Sequence, residues 1–136
     1  MEIKDLTANY VIVTPAYNEE KYIRQAIDSV LAQTIWPLLW VIVDDGSIDQ
    51  TADIIKRYAA KYPWIRYIYR KKEDNQSYYA SNVYAIFKGL KEIELSDYDY
   101  LAILDADIEL LANYYEEIFK LFTQDKRLGI ASGHCM

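Results

Sequence analysis

Cysteine is nearly absent from this chain. Cys135, one residue from the end, is the only one, so no internal disulfide can form and a reducing compartment is expected. Proline and glycine are scarce as well, at 3 and 4 residues, and no repeat or low-complexity segment interrupts the sequence. With 52% apolar and 26% charged residues, this composition belongs to a globular chain rather than a disordered one. No stretch approaches the ~20 apolar residues of a membrane span. Glu2, Lys4 and Asp5 break up any signal-like run at the start. The expectation is therefore a cytoplasmic chain, lying at the inner face of the membrane if it is attached there. Positive charge is short too: the net charge of -6 argues against a general nucleic-acid binder, which needs a basic patch. Arg66, Arg70, Lys71 and Lys72 do cluster, and they read as the solvated end of a strand, from which a single cation can still reach a nucleotide.

What is present is a regular alternation of two patterns. Tyr10–Thr14 is a β-branched run of strand length that Pro15 should stop. Tyr22, Ile23, Ala26, Ile27, Val30 and Leu31 then recur at helical spacing, and the helix ends before Pro37. Leu38–Val43 is a second apolar strand, leading into Asp44-Asp45-Gly46-Ser47, where Ser47 and Gln50 have the spacing of a capping box. Ile54, Ile55, Tyr58 and Ala59 give the following helix its apolar face, and Trp64–Tyr69 reads as a third strand after Pro63. From Ser77 a long helix is predicted on Tyr79, Val83, Ile86, Leu90 and Ile93, with Gly89 costing it ~1 kcal/mol relative to Ala. Leu101–Leu104 reads as a buried strand, and Asn113–Thr123 as a helix burying Ile118, Phe119 and Phe122. Leu128–Ala131 would be a fifth strand. Tyr58, Tyr79 and Tyr84 are assigned to packing, the default for core-spaced tyrosines.

This alternation predicts an α/β fold: a mostly parallel, Rossmann-like sheet covered by helices on both faces, with right-handed crossovers. At 136 residues there is room for one core, so residues 1–136 are read as one domain or part of one. In such sheets ligands bind at the carboxyl ends of the strands. Those ends carry Thr14-Pro15-Ala16-Tyr17-Asn18-Glu19, Asp44-Asp45-Gly46-Ser47 and Asp105-Ala106-Asp107.

The first of these loops has neither G-x-G-x-x-G nor G-x-x-x-x-G-K-[ST], so a glycine-rich phosphate cradle is not supported. It offers instead the Thr14 hydroxyl, a flat ring at Tyr17 that can stack on a base, and the Glu19 carboxylate, which can accept from base or ribose donors. The plainer reading makes Asn18 and Glu19 ordinary helix-start residues. Asp44 or Asp45 can accept the imide N–H of uracil or the N–H groups of guanine, or simply form an acidic turn. Asp105 and Asp107, two residues apart, can hold one hard divalent cation that bridges a diphosphate, or cap a helix and face solvent. So many carboxylates would repel a bare nucleotide, and a cation resolves the conflict.

In order and spacing, Thr14-Pro-Ala-Tyr-Asn-Glu-Glu20, Val43-Asp-Asp-Gly-Ser-Ile-Asp-Gln-Thr51 and Leu104-Asp-Ala-Asp107 resemble the nucleotide-binding half of a family 2 glycosyltransferase of GT-A fold. The resemblance implies a UDP- or GDP-linked sugar donor and a Mg2+ or Mn2+ ion. It further implies transfer, with inversion, to a hydroxyl on a glycan, a lipid or another acceptor, as in building cell-envelope polysaccharide. Membrane association would come through parts outside this chain. Carried over residue by residue, Thr14, Pro15, Tyr17 and Glu19 line the nucleotide pocket and Asp45 contacts the base. Asp105 and Ala106 complete the nucleotide-binding set, with Asp105 approaching the ribose or the metal, and Asp105 and Asp107 are the metal ligands.

Two departures qualify the resemblance. Where family members often carry a Gly and an Ala-Arg-Asn ahead of the third long helix, this chain has Gln76 and Ala80-Ser81-Asn82. The family's general base lies well beyond the metal motif, and no residue here takes that role; Glu109 follows the motif too closely. The Gly133-His134-Cys135-Met136 ending leads to the expectation of a truncation before the acceptor-binding part, leaving a fragment that binds donor without turnover, with His134 unremarkable. A haloacid-dehalogenase-type phosphatase would use Asp105 and Asp107 as nucleophile and acid, but that motif belongs after a first strand rather than a fourth. A sugar-1-phosphate nucleotidyltransferase would need a basic, glycine-rich first loop. A non-catalytic nucleotide-binding module is the remaining alternative.

Overall fold

The apolar runs pair into a four-stranded, all-parallel sheet in the order β3-β2-β1-β4. The computed structural model describes residues 8–75 and 77–133. Its elements are β1 (Tyr10–Ala16), α1 (Ile23–Leu31), β2 (Leu39–Asp44), α2 (Thr51–Lys61), β3 (Ile65–Tyr69), α3 (Tyr78–Lys91), β4 (Tyr100–Ile103) and α4 (Tyr114–Gln124). β1 and β2 are buried along their whole length because helices cover both faces of the sheet centre. Successive side chains point to opposite faces, which divides the core in two. Tyr10, Ile12, Trp40 and Ile42 pack with Ile23 and Ile27 of α1, Ile55 of α2 and Phe119 of α4. Val11, Val41 and Val43 pack with Ala85 of α3 on the other side.

The first strand runs past Pro15 to Ala16. The carbonyls of Tyr10 and Ala16 accept from Leu38 and Asp45 on the β2 side, whereas that of Val13 accepts from Leu104 on the β4 side. Odd residues therefore face β4, and Pro15 lies beyond the end of the β4 ladder, which stops at Val13 paired with Ile103. Its missing N–H leaves no strand partner unsatisfied.

α3 departs most from the periodicity. Its buried face is Ser81, Ala85 and Gly89, while Val83 is 49% exposed and Tyr79 and Tyr84 are exposed too. A Cβ on Gly89 would sit 2.8 Å from Val13 Cγ1 and 3.0 Å from Val43 Cγ2. The helix lies so close to the sheet that only small residues fit beneath it, and the bulky apolar ones are pushed to its flanks and outer side.

β4 is an edge strand rather than a buried one. Leu101 and Ile103, in register with Val11 and Val13, are 43% and 47% exposed, since α3 does not extend over this edge. Leu128–Ala131 forms no strand, and Ile130 is exposed. In α4, Tyr115 and Phe119 are the buried aromatics, while Ile118 and Phe122 are half-buried at the rim of a recess beside β4. Among the described residues no helix is long and apolar enough to cross a membrane.

Candidate functional site

The chain adds β2 and β3 on one side of β1 and β4 on the other, so the strand order reverses between β1 and β4. The loops leaving β1 and β4 diverge there and leave a crevice at the carboxyl end of the sheet. Pro15, Tyr17, Glu19, Asp105, Ala106 and Asp107 line that crevice together, with Tyr78 and Asn82 of α3 as its third wall.

The first loop is held by the loop after β2. Asn18, in the left-handed region at φ 51°, donates its N–H to Ser47 Oγ (2.9 Å) and accepts from the Ile48 N–H (2.9 Å). Glu19 N–H donates to Thr51 Oγ1 at 2.8 Å. The expected capping box does not form. The Ser47 hydroxyl is spent on Asn18, and the start of α2 is held by Asp49 Oδ1, which accepts from the Thr51 N–H at 2.9 Å and its hydroxyl at 2.6 Å. A side chain two residues before the helix thus does what the spacing assigned to Ser47.

The two aspartates that end β2 have separate roles. Asp44 is buried and structural, accepting from the Ser47 N–H at 2.9 Å and the Tyr67 hydroxyl at 2.6 Å. Burial, then the bond to Asp44, raises the Tyr67 phenol far above its ordinary range. Asp45 is buried in an ion-pair network: Oδ1 accepts from Arg70, Oδ2 accepts from the Ser81 hydroxyl, and Lys72 Nζ is 3.5 Å from Oδ2. Arg70 and Lys72 are therefore not the solvated strand end that composition suggested; their side chains are 12% and 25% exposed. Lys72 Nζ also lies 4.0 Å from the centre of the Tyr17 ring and donates to Ser81 Oγ at 3.0 Å.

Asp105 and Asp107 are exposed at the end of β4, separated by Ala106, whose methyl is buried in the core and fixes the turn between them. Their charge is felt across the crevice. Burial first, and then Asp107, Asp49 and Asp105, push the Glu19 carboxyl above its usual range. Among the described residues no group of three His, Cys, Asp or Glu side chains is close enough to cage a metal. Two exposed carboxylates nevertheless suit Mg2+ or Mn2+, which characteristically take one or two carboxylates and fill the remaining positions with phosphate oxygens and water.

The structure thus brings Pro15, Tyr17, Glu19, Asp105, Ala106 and Asp107 to one crevice, and Tyr17 joins it to the Asp45 network through Lys72. Thr14 is not brought to the opening: it is fully buried, and its hydroxyl accepts from the Trp40 indole at 2.9 Å. Arg70, Lys72, Tyr78, Ser81 and Asn82 are neighbours that the motifs did not pick out. For the first two the available signal was a pair of cations one and three residues past the end of β3, the strand beside the one that ends at Asp44. His134, Cys135 and Gln76 lie outside the described residues.

Comparison with known proteins gives matches over most of the chain. The family model for glycosyl transferase family 2 matches residues 11–133. An uncharacterized glycosyltransferase of Mycoplasma genitalium, MG025, is 29% identical over 122 residues, covering 88% of this chain and 38% of that protein. Among solved structures, S. aureus TarS 1-349 in complex with UDP-GlcNAc has a TM-score of 0.66 at 23% identity, covering 85% of this chain and 31% of that one. The mannosyltransferase PcManGT from Pyrobaculum calidifontis, in complex with GDP-Man and Mn2+, has a TM-score of 0.61 at 21% identity, covering 79% and 32%. The chain spans roughly a third of the length of the curated relatives it matches first.

Proposed function

The chain belongs to glycosyl transferase family 2 and has the α/β architecture of the GT-A glycosyltransferases, and on that premise we propose that it binds a nucleotide-diphosphate sugar for metal-assisted, inverting transfer to an acceptor hydroxyl. The observation that carries this reading is the gathering of Tyr17, Glu19, Asp105 and Asp107 in one crevice at the strand-order reversal. Solved structures of similar fold were obtained with UDP-GlcNAc, and with GDP-Man and Mn2+, which supports the same donor class here.

Each residue has a distinct task. The Tyr17 ring stacks on the base, and Asp45 accepts from its edge. Pro15 offers a flat apolar wall without an N–H, and Glu19 accepts from a ribose hydroxyl. Asp105 and Asp107 would hold Mg2+ or Mn2+, with Asp105 and Ala106 also against the ribose. The ion, when bound, supplies Lewis-acid neutralisation of the diphosphate as it departs from the sugar. Charge relief at Glu19 is part of this arrangement, because its carboxylate is disfavoured by burial first and then by neighbouring carboxylates, among them the two that would ligate the ion. The crossed bonds between the first loop and the Ser47–Thr51 segment keep Tyr17 and Glu19 in place before ligand arrives. The acceptor site, the general base and any membrane contact belong to the whole protein, at the inner face of the membrane in this reading.

The test is a thermal-shift series with UDP and GDP, with and without Mg2+ or Mn2+. Either nucleotide should raise Tm only when metal is present, by several degrees at about a hundred times Kd, where stabilisation is ~2.7 kcal/mol. Binding that EDTA leaves unchanged would remove the metal from the reading. Turnover of a nucleotide sugar, by hydrolysis or transfer, distinguishes an enzyme from a binding module.

A further inference from the structure

We propose that Tyr78, the first residue of α3, is a donor-binding residue whose hydroxyl donates to the diphosphate of the nucleotide sugar, in the crevice that Asp105 and Asp107 also line. This rests on the nucleotide-sugar reading above and adds a contact to the diphosphate from this chain's own side chains.

The argument begins with a count of donors. A diphosphate presents only acceptors, and a divalent ion satisfies only the oxygens it binds. The others lose their hydration on entering the crevice and need N–H or O–H groups in its place. Few such groups are at hand. Of the lining side chains, Glu19, Asp105 and Asp107 only accept when ionised, Pro15 and Ala106 carry no polar side-chain atom, and no Lys or Arg is among them. Arg70 and Lys72 are taken up by Asp45, and Lys72 also by Ser81 and the Tyr17 ring. What remains is the Tyr17 hydroxyl, whose ring is assigned to the base, the short, half-buried Asn82 amide, and the hydroxyl of Tyr78. Tyr78 is 62% exposed, and its hydroxyl has no hydrogen-bond partner among the described residues, so no existing bond has to break before it meets a ligand.

The backbone that carries Tyr78 is fixed from both sides. Ser77 caps α3 by accepting the Ala80 N–H at 3.2 Å, and the buried Ser81 hydroxyl donates to Asp45 just past β2. Tyr79 braces the ring edge-on, with centroids 5.6 Å apart and planes at 77°. Only the side-chain torsions of Tyr78 are left to adjust, so little order has to be gained when ligand arrives. A neutral donor also suits the charges present. With a divalent ion between Asp105 and Asp107, an ammonium or guanidinium on the same crevice would stand close to like charge, whereas a phenol adds a hydrogen bond to an anionic oxygen without that repulsion.

The experiment measures Kd on the intact chain with saturating Mg2+, for UDP against uridine and GDP against guanosine, by calorimetry for the diphosphates and by NMR titration for the nucleosides. Tyr78→Phe keeps the ring and removes the hydroxyl. It should weaken whichever diphosphate binds by about five- to twentyfold, the scale of one hydrogen bond to a charged oxygen, and leave the matching nucleoside within about twofold of the parent. Binding should still require metal, and the Tm of the ligand-free variant should stay within about 2 °C, because the side chain is exposed. Equal diphosphate affinity in the parent and Tyr78→Phe overturns the proposal and leaves the nucleotide-sugar reading standing. Equal weakening of diphosphate and nucleoside overturns it too, since the hydroxyl would then serve the base or ribose. A third arm compares UDP-GlcNAc with UDP in Tyr78→Ala. Loss confined to the sugar nucleotide there, with Tyr78→Phe unaffected, assigns the ring to sugar stacking and overturns the hydroxyl's role. Failure of both UDP and GDP to bind the parent chain with metal overturns the proposal and the nucleotide-sugar reading together.

Discussion

Replacing Gly89 by Ala is the sharpest test of how α3 sits on the sheet. On an exposed helix the change would stabilise, since Ala is better than Gly by ~1 kcal/mol in a helix interior. Here the new methyl meets Val13 Cγ1 at 2.8 Å and Val43 Cγ2 at 3.0 Å, and both valines are fully buried in adjacent central strands. Their branched side chains have little rotamer freedom with which to give way. Overpacking of this kind costs about 1 to 3 kcal/mol, and two stiff neighbours on one methyl put it in the upper half of that range. Subtracting the gain in propensity leaves a net loss of roughly 1 to 2 kcal/mol, or a fall in Tm of about 3 to 8 °C for a domain of this size. Thermal and urea melts followed by far-ultraviolet circular dichroism read it directly. The double variant Gly89→Ala with Val43→Ala should show a favourable coupling of at least ~0.5 kcal/mol, because the truncated valine makes room for the methyl. If Gly89→Ala alone matches or exceeds the parent in stability, α3 does not lie against β1 and β2 as described.

Further outcomes follow from the site. Asp107→Ala should abolish the metal-dependent Tm shift given by UDP while leaving the Tm of the ligand-free chain within about 2 °C, since this exposed side chain takes no part in the core; a retained shift would move the metal elsewhere. Glu19 has a raised folded pKa, so its contribution to stability is intact below the ordinary carboxylate pKa and is lost as pH rises through the folded value. Glu19→Gln should therefore raise the Tm of the ligand-free chain at pH 7 and bring no gain at pH 3, and an equal gain at both would refute the charge argument. The Tyr58 phenol is pushed up to about 12, by burial first and then by its 2.6 Å bond to Asp28. Its contribution is present below pH 10 and disappears on approach to pH 12, so Tyr58→Phe should flatten the alkaline limb of a pH-stability curve.

The sheet was legible because its strands are short apolar runs between turn residues, and the three loops meet because the fourth strand joins β1 on the side opposite β2. That order cannot be read from hydropathy, yet every arrangement of a doubly wound sheet puts those loops at the same end. α3 was read on the wrong face for a physical reason. Ser81, Ala85 and Gly89 carry almost no hydropathy signal, and periodicity weighs residues by apolar bulk, which a close helix excludes from its inner face. Leu101–Leu104 was equally ambiguous, since a run covered on both faces and one covered on a single face at an edge look alike in sequence. Within the site, Tyr17, Glu19, Asp105 and Asp107 were found through loop position and chemistry. Arg70 and Lys72 were seen as a charge cluster, but their pairing with Asp45 depends on β3 lying beside β2, a neighbour relation no spacing reveals.

The stripe of small side chains under α3 does more than let the helix nestle. Ser81 at one end of it bonds Asp45, and Gly89, two turns further along, touches the valines of the central strands. The helix is in effect a lever whose depth at one end is set by a hydrogen atom in place of a methyl, and whose other end holds the buried Asp45 carboxylate at the end of β2. A substitution at Gly89 would therefore be felt at Asp45, although Gly89 does not line the crevice, and a library confined to crevice-lining positions would never sample it.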